Sequence, residues 1–351
     1  MSVEPRPGIR DTAPYVSPQL EVAARLNTNE CPFPLPEDFS RDLARAVGEI
    51  PLNRYPEGQA TRLREDLADF AGHIPEGTWA ANGSNEILTE LLLAYGGPER
   101  SALVFEPTYL LHSRLSWLSH TRVERGELGG GFTLGEEEIA RAVAVAPDVV
   151  FVCSPNNPTG NAQSVASVRA LATAVPETLV IVDEAYIEFG GESARPLIAS
   201  HPNVVVVRTL SKAFALAGVR LGYCLADPKV VDDLQVVRLP YHLSSLTQAA
   251  GITALHHRAE ATSMLEGVRR QRDRLVDGLS SIDGVTVFPS DANFVLFTPP
   301  SGCDARELWQ RLLDRGVLVR DLTAVVPQAL RVTAGAPHEV DLFFDAMGEV
   351  L

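Results

Sequence analysis

Four short runs, at 103–105, 149–153, 179–182 and 204–208, are hydrophobic at nearly every position rather than at alternate ones. A strand with one wet face alternates, whereas a strand covered on both faces does not need to. These runs therefore predict buried strands of a mostly parallel sheet. Stretches of helical periodicity at 135–146 and 164–174 separate them, so the middle of the chain reads as α/β, with helices flanking the sheet. After about residue 241 the pattern changes. A long helix over 259–281 is followed by strands at 285–288 and 293–298, a helix over 305–315, strands at 317–320 and 330–333, and a last helix from 338. This predicts a smaller α+β domain (241–351) after a large domain (37–240). Residues 1–36 are rich in Pro and Gly, show little periodicity, and read as an arm joining the small domain or a partner subunit. The three glycines at 129–131 read as a turn.

Composition narrows the function classes. The 351 residues include 45 acidic and 30 basic side chains, a net charge of −15, which argues against a nucleic-acid partner, since phosphate backbones are bound by clustered Lys and Arg. No apolar run reaches the roughly 18–20 residues of a membrane span, and the first residues lack the layout of a signal peptide. The four cysteines are far apart with no C-x-x-C pair, so a soluble cytoplasmic protein without a disulfide or zinc framework is expected. Only two of the basic residues are lysines, Lys212 and Lys229. A chain that uses arginine almost everywhere has a reason to keep an amine.

The polar signals collect just past the predicted strands, where open parallel sheets bind ligands. The strand at 149–153 runs into Ser-Pro-Asn-Asn-Pro-Thr-Gly at 154–160, that at 179–182 into Asp183-Glu-Ala-Tyr186, and that at 204–208 into 209–220, which holds Thr209, Ser211, Lys212 and Arg220. An amine forms an imine with an aldehyde and a guanidinium does not, which singles out Lys212. Lys229, at a helix start, reads as a surface residue. Asp183 follows four apolar residues, so its carboxylate needs a cationic or hydrogen-bonding partner; a protonated pyridine nitrogen would serve, and so would a structural cap. Asn157 could bond a ring hydroxyl, although its segment is also an ordinary turn. Tyr186 could reach the same oxygen or simply pack on the sheet.

Asn82-Gly83-Ser84-Asn85-Glu86 opens a helical pattern, so free amides there could face a phosphate, with a plain helix cap as the alternative. Thr209, Ser211 and Arg220 would add hydroxyls and a forked cation. There is no P-loop and no G-x-G-x-x-G to support a nucleotide site. His256 and His257 sit in a helical stretch without an H-E-x-x-H pattern, and no metal site is expected.

An aldehyde-capturing lysine, a carboxylate for a pyridine nitrogen, an amide for a phenolic oxygen and a phosphate cradle together resemble a pyridoxal-phosphate site. The run 209–218 around Lys212 is similar to the lysine signature of the class II aminotransferases, and Arg220 stands at the spacing found across fold-type I enzymes. More narrowly, Leu-Asn-Thr-Asn-Glu at 26–30, Asn-Arg-Tyr-Pro-Glu at 53–57, Pro-Thr-Tyr at 107–109, Leu-Ser-Lys-Ala-Phe at 210–214 and Leu-Arg-Val-Thr-Ala-Gly at 330–335 resemble the histidinol-phosphate aminotransferases in order and rough spacing. One stretch differs from that family's pattern. Cys31 and Phe33 stand where Asn and Tyr are usual, in a loop expected to border the substrate.

The resemblance implies a fold-type I enzyme using pyridoxal 5'-phosphate. Lys212 would be catalytic and Tyr109 would stack on the cofactor ring. Asn157 and Tyr186 would bond the ring's phenolic oxygen, and Asp183 its nitrogen. Gly83, Ser84, Asn85, Thr209, Ser211 and Arg220 would hold the phosphate, helped by Tyr55 from the neighbouring subunit of a homodimer. Arg320 and Arg331 would hold the anionic tail of the substrate, with Tyr15 and Asn29 at its entrance. The implied reaction moves an amino group between histidinol phosphate and 2-oxoglutarate. Transamination of aromatic amino acids, decarboxylation of a phospho-amino acid and a non-catalytic sensor domain are the rival readings.

Overall fold

The computed structural model describes residues 3–351; the first two residues of the expected arm lie outside it. In chain order, strand β1 (Ala24–Arg25) precedes helices α1 (Glu37–Gly48) and α2 (Thr61–Ala71). Then come β2 (Thr78–Ala81), α3 (Ser84–Tyr95), β3 (Ser101–Glu106), α4 (Leu110–Leu118), β4 (Arg122–Glu127), α5 (Glu136–Val145) and β5 (Val149–Cys153). These are followed by α6 (Val165–Ala174), β6 (Leu179–Asp183), β7 (Val204–Thr209), β8 (Gly222–Leu225), α7 (Pro228–Val237), α8 (Ser245–His256) and α9 (Arg258–Ser280). The chain ends with β9 (Thr286–Val287), β10 (Phe294–Thr298), α10 (Ala305–Asp314), β11 (Val317–Leu318), β12 (Arg320–Asp321), β13 (Leu330–Thr333) and α11 (Pro337–Val350).

Seven strands form one sheet in the order β2-β8-β7-β6-β5-β3-β4, in which β8 alone runs against the rest. The apolar runs are explained by two cores. Val150, Val152, Val180, Val182, Val204 and Val206 face one hydrophobic cluster. Phe151, Ile181, Val205 and Val207 face the other. Both faces are covered, so every position of β5 and β6 is buried. The edge strand β4 was not foreseen, because its sequence Arg-Val-Glu-Arg-Gly-Glu is charged, a pattern that also discourages pairing with another chain.

The last third of the chain forms a four-stranded antiparallel sheet, β12-β13-β10-β9. The single strand expected at 317–320 is two. β11 pairs in parallel with β1 of the arm, and β12 pairs with β13, so the chain changes sheets at Val319. The helical stretch expected through His256 and His257 is also interrupted, since α8 ends and α9 begins around His257. α8 packs against α1 and α2, whereas α9 packs against β9 and β10.

One close approach ties the fold to the site. A Cβ on Gly222 would lie 2.2 Å from the Ser84 amide nitrogen and 2.4 Å from the Gly83 carbonyl carbon. Both contacts are backbone, so neither can swing aside. Gly222→Ala should therefore push the start of α3 off β8 and cost about 1–3 kcal/mol of stability, as overpacked sites do. Denaturant unfolding measures this, and an unchanged midpoint would show that the contact is not fixed.

Candidate active site

The register of the parallel strands decides where chemistry can gather. Cys153 aligns with Asp183, and Asp183 with Val207, so β5 and β6 end level and β7 runs two residues further, to Thr209. The segments that follow them line a cavity of about 380 Å³. Of the residues singled out from sequence, Tyr15, Asn29, Ser84, Asn85, Tyr109, Asn157, Asp183, Tyr186, Thr209, Ser211, Lys212, Arg220, Arg320 and Arg331 all face it. Gly83 and Tyr55 do not line it. Gly83 stands just behind, where a Cβ would come within 2.7 Å of an Arg220 Nη atom. Tyr55 is 80% exposed and stacks on Tyr241 with ring centroids 4.5 Å apart.

Asp183 is 2% exposed. One carboxylate oxygen accepts from the Ala185 amide at 3.1 Å, and the other lies 3.1 Å from His112 Nε2. His112 is fully buried, stacked on Phe151 and edge-on to Tyr109. This histidine was missed from sequence. The available signal was its position three residues after Tyr109, which puts both on one side of α4.

Lys212 lies across the cavity, its Nζ donating to the Thr28 carbonyl at 3.1 Å. Burial lowers its pKa to about 8, the guanidiniums of Arg331 and Arg220 push the same way, and Glu30 opposes them. The amine is thus neutral within reach of ordinary pH. Tyr186 Oη accepts from Asn29 Nδ2 at 3.0 Å and from Asn157 Nδ2 at 3.4 Å, and burial pushes its hydroxyl up to about 12. Burial raises Tyr109 too, and its hydroxyl donates to Asn85 Oδ1 at 3.3 Å.

Two cationic corners flank this centre. At one, Arg220 donates to Ser211 Oγ at 3.4 Å, and Thr209 donates to the same oxygen at 2.9 Å. α3 begins at Ser84 beside them, leaving its first amides without intrahelical acceptors. At the other, Arg331 donates to Asn157 Oδ1 at 2.5 Å and to the Asn27 carbonyl at 3.0 Å, with its guanidinium 4.9 Å from the Phe294 ring centroid. Only 7% of Arg331 is exposed, its Nε finds no acceptor, and burial lowers its pKa to about 10. Arg320 donates to Ser17 Oγ of the arm at 3.3 Å.

The unusual 31–33 stretch turns away from this cavity. Cys31 and Phe33 pack against the hydrophobic core instead, with Phe33 over Gly267. Of the helix-cap alternative at 82–86, Glu86 does sit in the first turn and accepts from the Asn82 amide and side chain, but the cap residue is Gly83, which makes no side-chain cap hydrogen bond. Glu86, Glu90 and His242 bring potential metal-ligand atoms within 4.8 Å of one another. Each already has a protein partner: Asn82 for Glu86, Trp79 Nε1 for Glu90 and the Ala80 carbonyl for His242.

The sequence profile of the class I and II aminotransferases matches residues 23–346. The chain belongs to this family. A histidinol-phosphate aminotransferase of Thermobifida fusca (strain YX) is 47% identical over 97% of this chain and 94% of its own length. One from Frankia casuarinae is 48% identical over 99% of this chain and 90% of its own. The crystal structure of histidinol-phosphate aminotransferase from Sinorhizobium meliloti, in complex with pyridoxal-5'-phosphate, superposes with a TM-score of 0.89. It covers 99% of this chain and 98% of its own at 24% identity, a likeness of fold. The architecture is that of the fold-type I aminotransferases.

The two lysines make the polarity of this aminotransferase's cavity measurable. With an amine-reactive reagent and peptide mass mapping, Lys212 should reach half-maximal labelling near pH 8, because its charged form is disfavoured. The exposed Lys229 controls for the reagent. Half-maximal labelling of Lys212 near the ordinary lysine value of about 10.4 would mean that the amine is not desolvated.

Proposed function

We propose that this chain is a histidinol-phosphate aminotransferase that uses pyridoxal 5'-phosphate and returns the amino group to 2-oxoglutarate, as a step of histidine biosynthesis. The observation that carries the reading is one cavity holding a desolvated amine (Lys212), a buried carboxylate (Asp183) and two separate arginine corners. The donor set fits the cofactor. The Arg220 corner, with Ser211, Thr209 and the open start of α3, suits a phosphate. The absent Cβ of Gly83 leaves Arg220 room to reach it. Asp183 suits a cationic ring nitrogen, and His112 on its far oxygen fixes the carboxylate's direction. Asn157 and Tyr186 suit a phenolic oxygen, and Tyr109 a ring face.

When bound, pyridoxal phosphate supplies an aldehyde for the amine and a ring that takes up the electron pair left at the substrate Cα. The protein does the rest. Lys212 Nζ, neutral above about pH 8, would accept the proton from the substrate Cα and deliver it to the carbon of the cofactor's aldehyde group. Arg331, whose Nε has no acceptor inside the protein, binds the anionic end of the substrate together with Arg320. A guanidinium fork accepts a phosphate or a carboxylate, so the same corner serves histidinol phosphate and then glutamate or 2-oxoglutarate. Burial of Asp183, Tyr186 and Arg331 keeps water from competing for these contacts.

The working unit is a homodimer in the cytoplasm. The stacked Tyr55 and Tyr241, 80% and 48% exposed, form an aromatic surface that a second copy would cover, bringing Tyr55 toward its neighbour's phosphate corner. Among the described residues no helix is long and apolar enough to cross a membrane.

A panel of amino donors, each with 2-oxoglutarate, tests the substrate. The highest kcat/KM should belong to histidinol phosphate. A preference for phenylalanine or tyrosine would make this an aromatic aminotransferase, and release of carbon dioxide from a phospho-amino acid would make it a decarboxylase.

A further inference from the structure

The arm is fastened at both ends, and the fastenings are on different parts of the molecule. At its inner end Ala24 and Leu26 are fully buried and β1 pairs with β11. At its outer end Arg6 lies over the Trp117 ring, 4.7 Å from the centroid, and donates to the Leu118 carbonyl at 3.2 Å. Arg6 Nη1 also lies 3.3 Å from the His120 ring nitrogens. A turn reinforces this end. The Ile9 amide donates to the Arg6 carbonyl and the Thr12 hydroxyl to the Gly8 carbonyl. Gly8, at φ +84°, sits so close that a Cβ would be 3.1 Å from the Trp117 ring.

Between the fastenings the arm spans the mouth of the cavity. Tyr15 and Ser17 line it, and Ser17 accepts from Arg320. Tyr15 is 48% exposed and Val16 66%, so the span itself is held by little packing. Its middle is held by Arg320 on Ser17 and by Asn27, whose Nδ2 donates to the Pro18 carbonyl at 2.8 Å, so it is the stretch before Ser17 that depends on the outer fastening. Trp117 belongs to α4, the helix that begins beside Tyr109 and carries His112, so the outer fastening refers the span to the wall of the cavity that holds Asp183.

We propose that Arg6 and Trp117 are positioning residues that hold residues 13–23 as a strap across the substrate entrance, placing Tyr15 and Ser17 against the anionic end of the amino donor. This rests on the reading of the cavity as the substrate site. Neither residue touches the reacting groups, so loosening the strap weakens donor retention and leaves the proton transfer at Lys212 intact.

The test compares wild type with Trp117→Ala, Arg6→Ala and the conservative variants Trp117→Phe and Arg6→Lys, all as holoenzyme. The alanine variants should raise KM for histidinol phosphate about tenfold, the scale of a lost cation–π contact with its packing, with kcat and cofactor absorbance unchanged. Trp117→Phe keeps an aromatic face and Arg6→Lys keeps a cation, so each should recover most of the loss. Tryptic cleavage after Arg10, followed by mass spectrometry, should be faster in the alanine variants and slowed by histidinol phosphate in the wild type. Wild-type KM and cleavage rate in Trp117→Ala would overturn the proposal. So would a joint fall of kcat and cofactor absorbance, which marks a merely structural role. Should the wild type not transaminate histidinol phosphate, the functional reading fails, and the relative cleavage rates still decide whether the strap is fastened as described.

Discussion

A carboxylate buried at the end of a central strand is costly unless its surroundings answer its charge, and Asp183 imposes that condition on everything around it. The parallel register of β5, β6 and β7 places it level with Cys153 and Val207, under the loops that carry Asn157 and Lys212. His112 and the Ala185 amide satisfy part of its demand from the protein side. What remains faces a cavity whose other charged walls are mostly cationic, with Lys212, Arg220, Arg320 and Arg331. The site is therefore polarised, with a negative floor and positive rims, and a molecule with a cationic ring nitrogen and anionic substituents matches it.

The same constraint explains the odd lysine usage. Arginine holds its charge when buried, so it suits the two corners where the proposed reading would have anions gripped. At the centre the proposed reaction would need a group that gives up its proton near neutrality, which a desolvated amine does. Neighbouring Arg331 and Arg220 add to burial in discharging Lys212. On the proposed reading, the cations that would bind substrate and phosphate also lower the pKa of the base, which would couple recognition to reactivity.

Most of this could be read in the chain before its structure was seen, and the exceptions share a cause. Longer strands covered on both faces announce themselves as unbroken apolar runs, as 149–153 and 179–182 do, whereas the equally buried four-residue β2 and β8 are too short to do so. β4, with its charges, and the two-residue β11 and β12 do not, because their pairing is decided by partners distant in sequence. Lys212 stood out by rarity and Asp183 by its apolar run. His112 carried no such mark, since one histidine on a helix is ordinary until the chain brings it 3.1 Å from Asp183. The Thr28 carbonyl that accepts a hydrogen bond from Lys212 was equally hidden, because a backbone acceptor 184 residues away leaves no trace in composition. The altered residues Cys31 and Phe33 drew attention as part of a substrate loop, yet they face the core. Sequence marks which residues are unusual; only packing says which way they point.

Whether Lys212 is the amine that would hold the cofactor can be tested directly, because the chain has only one other lysine. Protein loaded with pyridoxal phosphate is treated with borohydride, digested, and mapped by mass spectrometry. One pyridoxyl group per chain is expected, on Lys212, and it should be lost after prior exposure to an amino donor. Modification on Lys229, or no fixed label while the protein still transaminates, would contradict it.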